Sequence, residues 1–224
     1  MSALAGFDAA DFVKFGRKTV CVGRNYAEHA KELNNAVPDT PLLFLKPPSA
    51  YLPHWSAEPI RIPKGATVHH EVELGVVIGQ GGTDINEKWA MQHVAGYCLA
   101  LDLTARDIQE AAKKKGTPWT VAKGYDTFTP IGGFIPKSEI SDPHNVRLWC
   151  KVDGVMKQDG NTEDMIFSIE HLISHISSIM TLEKGDVILT GTPAGVGPIL
   201  PGQDIECGLT EDDKYTMMFT AVER

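Results

Sequence analysis

Apolar positions along the chain fall into short runs, with few helical stripes between them. Lys18-Thr19-Val20-Cys21-Val22-Gly23 is a β-branched run closed by glycine and predicts a short buried strand. Asn25, with Glu28 three residues on, offers a capping-box start to a helix over Ala27–Asn34 that stops at Asn34-Asn35. Pro41-Leu42-Leu43-Phe44-Leu45 is apolar and ends abruptly in Lys46 and two prolines. After a proline-rich loop, His69 to Ile78 predicts a strand ending at Gly79. A turn over residues 80–84 and a helix over Asn86–Val94 follow. Gly96 to Asp102 predicts a second buried strand. Thr104 with Asp107 resembles another capping box, opening a helix over Ala105–Lys115 that Gly116 terminates.

From Arg147 the pattern turns to hairpins, with Asp153-Gly154 as a strong type I′ turn signal between two strand-like runs. Ser168 opens an amphipathic helix with Ile169, Leu172, Ile173, Ile176 and Met180 on one face. Val187 to Thr190 predicts a strand, and two closing strands are expected around Ile205–Leu209 and Tyr215–Val222, joined by residues 210–214. No repeat, linker or low-complexity stretch interrupts the chain. The pattern predicts one α+β domain in which strands dominate.

Composition narrows the classes. At 224 residues, with 42% hydrophobic and 22% charged, the chain can bury a substantial core. A formal net charge of −8 argues against nucleic acid or an anionic membrane as partner. No apolar run approaches the roughly 18–20 residues that span a bilayer. Cys21, Cys98, Cys150 and Cys207 are scattered and form no C-x-x-C pair, which suits free thiols in a reducing compartment. Met1 to Lys18 lacks an apolar signal core and carries Asp8 and Asp11, which weakens a transit-peptide reading, so a soluble intracellular protein is expected.

The candidate chemistry begins at Glu71 and Glu73. In a strand they share a face, with Cα atoms roughly 6.5–7 Å apart, and two like charges beside a core repel unless a cation or protons intervene. A solvated edge strand is the ordinary meaning of E-x-E, but Gly75-Val76-Val77-Ile78 argues for burial. Asp102 ends a second buried strand, where it either caps the next turn or completes a three-carboxylate, all-oxygen set suited to Mg²⁺ or Mn²⁺. His29 and Glu32, three apart on a helix, are either an exposed ion pair or an acid–base dyad. Lys123 lies in apolar company and could meet an oxyanion or snorkel to water. Arg106 and Gln109 share a face near a helix N-terminus, which suits an anionic ligand, although solvated positions are the default. His171 and His175 are i,i+4 but lack an H-E-x-x-H pattern and read as surface. The loop from Thr190 to Gly197 has no G-K-[ST] ending, yet amides around Gly191 and Thr192 could hold a carboxylate.

Val20-Cys21-Val22-Gly23-Arg24-Asn25-Tyr26-Ala27-Glu28-His29, Phe44-Leu45-Lys46-Pro47, His69-His70-Glu71-Val72-Glu73-Leu74, Leu101-Asp102-Leu103-Thr104-Ala105-Arg106-Asp107 and Leu189-Thr190-Gly191-Thr192-Pro193 resemble, in order, the motifs of the fumarylacetoacetate hydrolase family. The resemblance implies a mixed β-sandwich roll with a few helices, a homodimer, and residues 18–224 as one catalytic domain. Residues 1–17 are expected to be an N-terminal extension or first packing segment. The resemblance implies a mitochondrial compartment, with the cytoplasm as the alternative. It implies Glu71, Glu73 and Asp102 as ligands of Mg²⁺ (Mn²⁺ as a substitute), and His29 with Glu32 as a dyad on a short lid helix. Lys123 is implied as the catalytic lysine, and Gln109, Thr192, Gly191, Arg106, Arg24 and Lys46 as substrate-binding groups. The expected substrates are small 2-oxo acids. The expected reactions are C–C hydrolysis of 3-acylpyruvates and decarboxylation of oxaloacetate, as in the short single-domain eukaryotic members. The alternative within the family is an isomerase, decarboxylase or fumarylpyruvate hydrolase acting on hydroxylated dienedioates of aromatic catabolism. A non-catalytic binding protein on the same fold is the rival from another class.

Overall fold

The computed structural model describes residues 8–32, 38–210 and 214–224. After α1 (Phe12–Phe15) come β1 (Thr19–Gly23), α2 (Ala27–Glu32), β2 (Leu42–Lys46), β3 (Tyr51–Pro53), β4 (Ile60–Ile62), β5 (Val68–His70) and β6 (Val72–Ile78). The middle of the chain forms β7 (Val94–Leu101), β8 (Thr104–Ala105), α3 (Arg106–Lys115), α4 (Thr120–Lys123), β9 (Thr129–Ile131) and β10 (Ile135–Pro136). The last third forms β11 (Arg147–Val152), β12 (Val155–Asn161), α5 (Ile169–Ile179), β13 (Val187–Leu189), β14 (Gly197–Ile199), β15 (Asp204–Leu209) and β16 (Tyr215–Glu223). An 8-stranded mixed sheet runs β2-β1-β13-β6-β7-β9-β3 with β10 on β7, a 5-stranded sheet runs β12-β11-β15-β16-β4, and β14-β5-β8 make a 3-stranded one.

β6 lies inside the large sheet between β13 and β7, and all seven of its residues are buried. Its even-numbered side chains Val72, Leu74, Val76 and Ile78 pack into the main core. Leu148, Cys150, Ile205, Cys207 and Phe219 of the 5-stranded sheet join them there, with Leu172, Ile173 and Ile176 of α5. This is a sandwich core built from facing sheets and one apolar helix stripe. The other face of the large sheet carries a smaller cluster, Cys21, Val77, Cys98, Ala100, Val187 and Leu189, closed by Phe12 of α1. Glu73 belongs to this second face by strand alternation, two residues along from Gly75 and four from Val77.

Several local expectations are met. Asp153 and Gly154 both have positive φ (48° and 74°) in the β11–β12 turn, and Ser168 caps α5 by accepting from the His171 N–H. Gly116 closes α3 in the left-handed region. Others are corrected. Residues 87–93 form a 3-10 helix, in which Ala90 is the buried residue, so no apolar stripe of α-helical period favours the wider coil. Asn25 does not cap α2, because its amide joins the Phe167 N–H, the Phe167 carbonyl and the Thr190 carbonyl. Thr104 does not cap α3, since its hydroxyl donates to Glu71 Oε1 at 2.9 Å. The expected stop at Asn34-Asn35 and most of the loop over residues 210–214 lie outside the described residues. Among the described residues, no helix is long and apolar enough to cross a membrane.

Candidate active site

The three carboxylates converge where one strand changes sheet. His70 pairs with Gly197 in the small sheet and Val72 with Leu101 in the large one, so Glu71 sits at the crossing between β5 and β6. The β6–β7 register of Val72↔Leu101 and Glu73↔Ala100, continued one step, sets Asp102 opposite Glu71, and the Asp102 N–H donates to the Glu71 carbonyl at 2.8 Å. Opposed and i,i+2 residues share a face. Glu71, Glu73 and Asp102 are each buried and offer oxygens that all lie within 4.8 Å of one another. An all-carboxylate set of this kind fits a hard divalent cation. The Asp102 carboxylate is not a turn cap, as Lys46 and Lys123 take its two oxygens.

Three cationic side chains face the three acids. Lys123, fully buried at the end of α4, donates to Asp102 Oδ2 at 2.6 Å and Glu71 Oε2 at 3.0 Å and lies 4.6 Å from the Phe44 ring centroid. Burial pushes its ammonium pKa down, but Asp102 and Glu71 outweigh burial and hold it above the ordinary lysine value. Arg106 pairs with Glu71 Oε1 and donates to Gln109 Oε1 at 2.6 Å. Burial would raise the Glu71 pKa, yet Lys123 and Arg106 hold it well below the usual carboxylate range. Glu73 has no such cation among the described residues. It accepts the Gly191 N–H at 2.8 Å, and burial, Asp102 and Glu71 push its pKa well up.

Two expected substrate groups are placed differently. Lys46 lies behind Asp102 rather than in the recess, with its ammonium donating to Asp102 Oδ1 at 2.6 Å and to the Leu103 and Phe128 carbonyls at 3.1 and 2.5 Å. An ammonium has three hydrogens, so none remains for a ligand. The Gly191 amide does hold a carboxylate, but it is that of Glu73.

The recess above the acids is lined by Arg24, His29, Phe44, Gln109, Trp119 and Thr192 together with Glu71, Glu73, Asp102, Arg106 and Lys123. Arg24 reaches it from the turn after β1 with φ 61°, a left-handed conformation that costs a non-glycine residue about 1 kcal/mol or more. His29 is buried on α2 with Nδ1 3.4 Å from Glu32 Oε2, and Glu32 also accepts the Gly195 N–H at 3.2 Å. Burial lowers the His29 pKa against the raising pull of Glu71 and Glu32. His171 and His175 stack on each other 6.2 Å apart and do not line the recess. Sequence reading missed Gln158, a fully buried amide bonded to both His70 and Thr192. Its signal was faint, one amide in the exposed strand Val155–Asn161.

These features define a class. The model of the fumarylacetoacetate (FAA) hydrolase C-terminal domain matches residues 18–219, and the chain belongs to that family. The chain is 62% identical over 200 residues to the oxaloacetate decarboxylase, mitochondrial, of Dictyostelium discoideum, covering 89% of this chain and 91% of that one. It is 58% identical over 197 residues to the oxaloacetate tautomerase FAHD1, mitochondrial, of Arabidopsis thaliana, covering 88% of each. Among solved structures, a fumarylpyruvate hydrolase from Pseudomonas aeruginosa in complex with Mn²⁺ and pyruvate superposes with a TM-score of 0.86 at 33% identity, covering 93% of this chain and 91% of that one. The chain is therefore an enzyme of the family, with a mixed-sheet fold and a buried acidic triad able to hold a divalent metal.

Proposed function

We propose that the protein acts on short 2-oxo acids through their enolates, decarboxylating or tautomerising oxaloacetate and hydrolysing 3-acylpyruvates to pyruvate and a carboxylate. The cofactor is Mg²⁺, with Mn²⁺ as a substitute, held by Glu71, Glu73 and Asp102. The observation that carries this reading is the convergence of that triad, Lys123, Arg106 and His29 on one recess. The charges support it. Three acids are paired with Lys46, Lys123 and Arg106, so the charge of an added divalent cation is matched by that of a dianionic 2-oxo acid, toward which Arg24 adds a further positive charge. The relatives named for oxaloacetate, at 58% and 62% identity, favour this substrate over the long dienedioates of the alternative reading.

When bound, the cation supplies Lewis-acid polarisation of the 2-oxo group. Arg106, Gln109 and Arg24 hold the substrate carboxylates, and Thr192 lines the recess beside them with its hydroxyl proton given to the Val72 carbonyl. With oxaloacetate, breaking the C3–C4 bond releases CO₂ and leaves the electron pair as pyruvate enolate, whose oxyanion the Lys123 ammonium stabilises. Tautomerisation needs only that neutral His29 take the C3 proton and that a proton reach the 2-oxo oxygen, giving the enol, with the same path run backwards for the reverse reaction. With a 3-acylpyruvate, His29, oriented by Glu32, takes a proton from the water that attacks the distal carbonyl, and C–C cleavage expels the same enolate. The mitochondrial names of the relatives support that compartment for this chain, and the family resemblance supports a homodimer.

The test measures oxaloacetate conversion and pyruvate release from acetylpyruvate, before and after EDTA and Mg²⁺ add-back. Asp102→Asn is expected to lose about a hundredfold or more of kcat/KM. Full activity of that variant, or indifference to EDTA, would overturn the metal assignment. A preference for hydroxylated dienedioates would move the protein to the alternative branch.

A further inference from the structure

Thr190 donates its N–H to the Leu74 carbonyl at 3.1 Å, and beyond that point β13 no longer flanks β6. Val72, the residue between Glu71 and Glu73, would then have open backbone groups on that side, and a buried unpaired peptide group costs about as much as a lost hydrogen bond. Two side chains fill the gap. The Val72 N–H donates to Gln158 Oε1 at 3.1 Å, Gln158 Nε2 donates to Thr192 Oγ1 at 2.8 Å, and the Thr192 hydroxyl donates to the Val72 carbonyl at 2.7 Å, closing a ring around one residue.

Gln158 makes two further bonds. Its Nε2 donates to the Pro193 carbonyl at 2.9 Å, and its Oε1 faces His70 Nδ1 at 2.8 Å. A backbone N–H can only donate and a proline carbonyl only accept, so the orientation of the amide is fixed and His70 carries its proton on Nδ1. All four hydrogen-bonding positions of the amide are used, and the side chain is completely buried. The local fold is built to place it. β12 is an edge strand, and from Val155 to Asp159 Gln158 is its one buried residue. The β11–β12 register slips between Cys150↔Gln158 and Lys151↔Met156, leaving Lys157 as an extra residue, and a bulge of this kind re-aims a side chain. Loop 191–197 lies so close to β12 that a Cβ on Gly195 would sit 2.1 Å from the Lys157 carbonyl oxygen, and one on Gly160 2.5 Å from Pro193 Cβ.

We infer that Gln158 is the positioning residue of the recess. Its one amide fixes the strand on both sides of Glu71 and the loop that presents Thr192 and the Gly191 amide holding Glu73. The inference rests on reading Glu71, Glu73 and Asp102 as cation ligands. Partners one step removed from a metal set its affinity by about 10–100-fold.

The test titrates Mn²⁺ into the full-length protein, reading free Mn²⁺ by its EPR signal, and in parallel measures KM and kcat for oxaloacetate. Gln158→Met, near-isosteric and without hydrogen bonds, is expected to weaken Mn²⁺ binding at least tenfold and to raise KM, with an unchanged far-ultraviolet spectrum. Gln158→Glu keeps the acceptor toward Val72 and His70 but replaces the amide donors toward Thr192 and Pro193. It is expected to bind Mn²⁺ within threefold of the unaltered protein while KM stays raised. Should Gln158→Met fail to fold, Gln158→Glu decides alone. Unchanged KM and Mn²⁺ affinity in a folded variant overturn the positioning role, as does a loss of kcat alone. An unaltered protein that binds no Mn²⁺ overturns instead the reading of the three carboxylates, and the inference with it.

Discussion

A buried imidazole resists protonation, and His29 depends on that. Burial lowers its pKa below the ordinary value of about 6.5, while Glu71 and Glu32 pull it back up. The neutral form needed of a base therefore persists to lower pH than for an exposed histidine, and the acid limb of the hydrolytic pH profile is expected below 6.5. Glu32→Gln removes one raising influence, so the limb should move further down while the plateau falls, because the ring loses its orienting acceptor. Acetylpyruvate hydrolysis should drop more than oxaloacetate decarboxylation, since only the first needs an activated water. Equal losses in the two reactions, or a limb that moves up, would remove the water-activating role from the pair. At this scale the carboxylates and Lys123 were readable because charged residues interrupt apolar runs. Lys46 gave the same signal and belongs elsewhere, because no local pattern says which side of Asp102 an ammonium approaches from.

Elements were legible where their stabilising contacts are local. The β11–β12 turn, the Ser168 cap of α5 and the Gly116 end of α3 each depend on residues within four positions of one another. Elements tied by distant contacts were misread at the residues that tie them. Thr104 and Asn25 both carry capping chemistry, and each is diverted to a partner across the fold, Glu71 in one case and residues 167 and 190 in the other. Asn25 joins the start of α2 to the approach to α5 and the end of β13 through three buried or part-buried hydrogen bonds. Asn25→Ala leaves the carbonyls of Phe167 and Thr190 and the N–H of Phe167 without that partner. It is expected to cost about 2–4 kcal/mol at roughly 1 kcal/mol per bond plus the unsatisfied groups. Denaturant unfolding measures this directly, and a loss under 0.5 kcal/mol would show that Asn25 merely fills space.

At the scale of the whole molecule, the site is a charge problem solved by fold topology. A strand leaves one sheet for another at Glu71, its neighbour β7 ends one residue before Asp102, and α3 and α4 bring Arg106 and Lys123 to the same point. The two carboxylate-bearing strands, β6 and β7, are consecutive and paired, yet alternation gave only the faces, because neither the register that sets Asp102 opposite Glu71 nor the change of sheet at Glu71 is written in the local pattern. The arrangement couples metal, protons and stability. Without a cation Glu73 holds its proton to unusually high pH, because burial, Asp102 and Glu71 all oppose its charge. The unfolded chain releases that proton near pH 4.3, so between there and the raised folded value the native state binds more protons and stability falls as pH rises. A bound divalent cation removes the cost by pairing the ionised group. The difference in Tm between Mg²⁺-loaded and EDTA-treated protein should therefore widen from pH 5 to pH 8, a comparison in which titrations common to both forms largely cancel. At a metal concentration a hundredfold above Kd the gain is about 2.7 kcal/mol. For a chain of this length that is about 5–10 °C. Differential scanning fluorimetry at the two pH values reads it, with Glu73→Gln as control, since a permanently neutral side chain should flatten the pH dependence of the EDTA-treated form. A gap that narrows with rising pH would show that Glu73 is not the proton that the cation displaces.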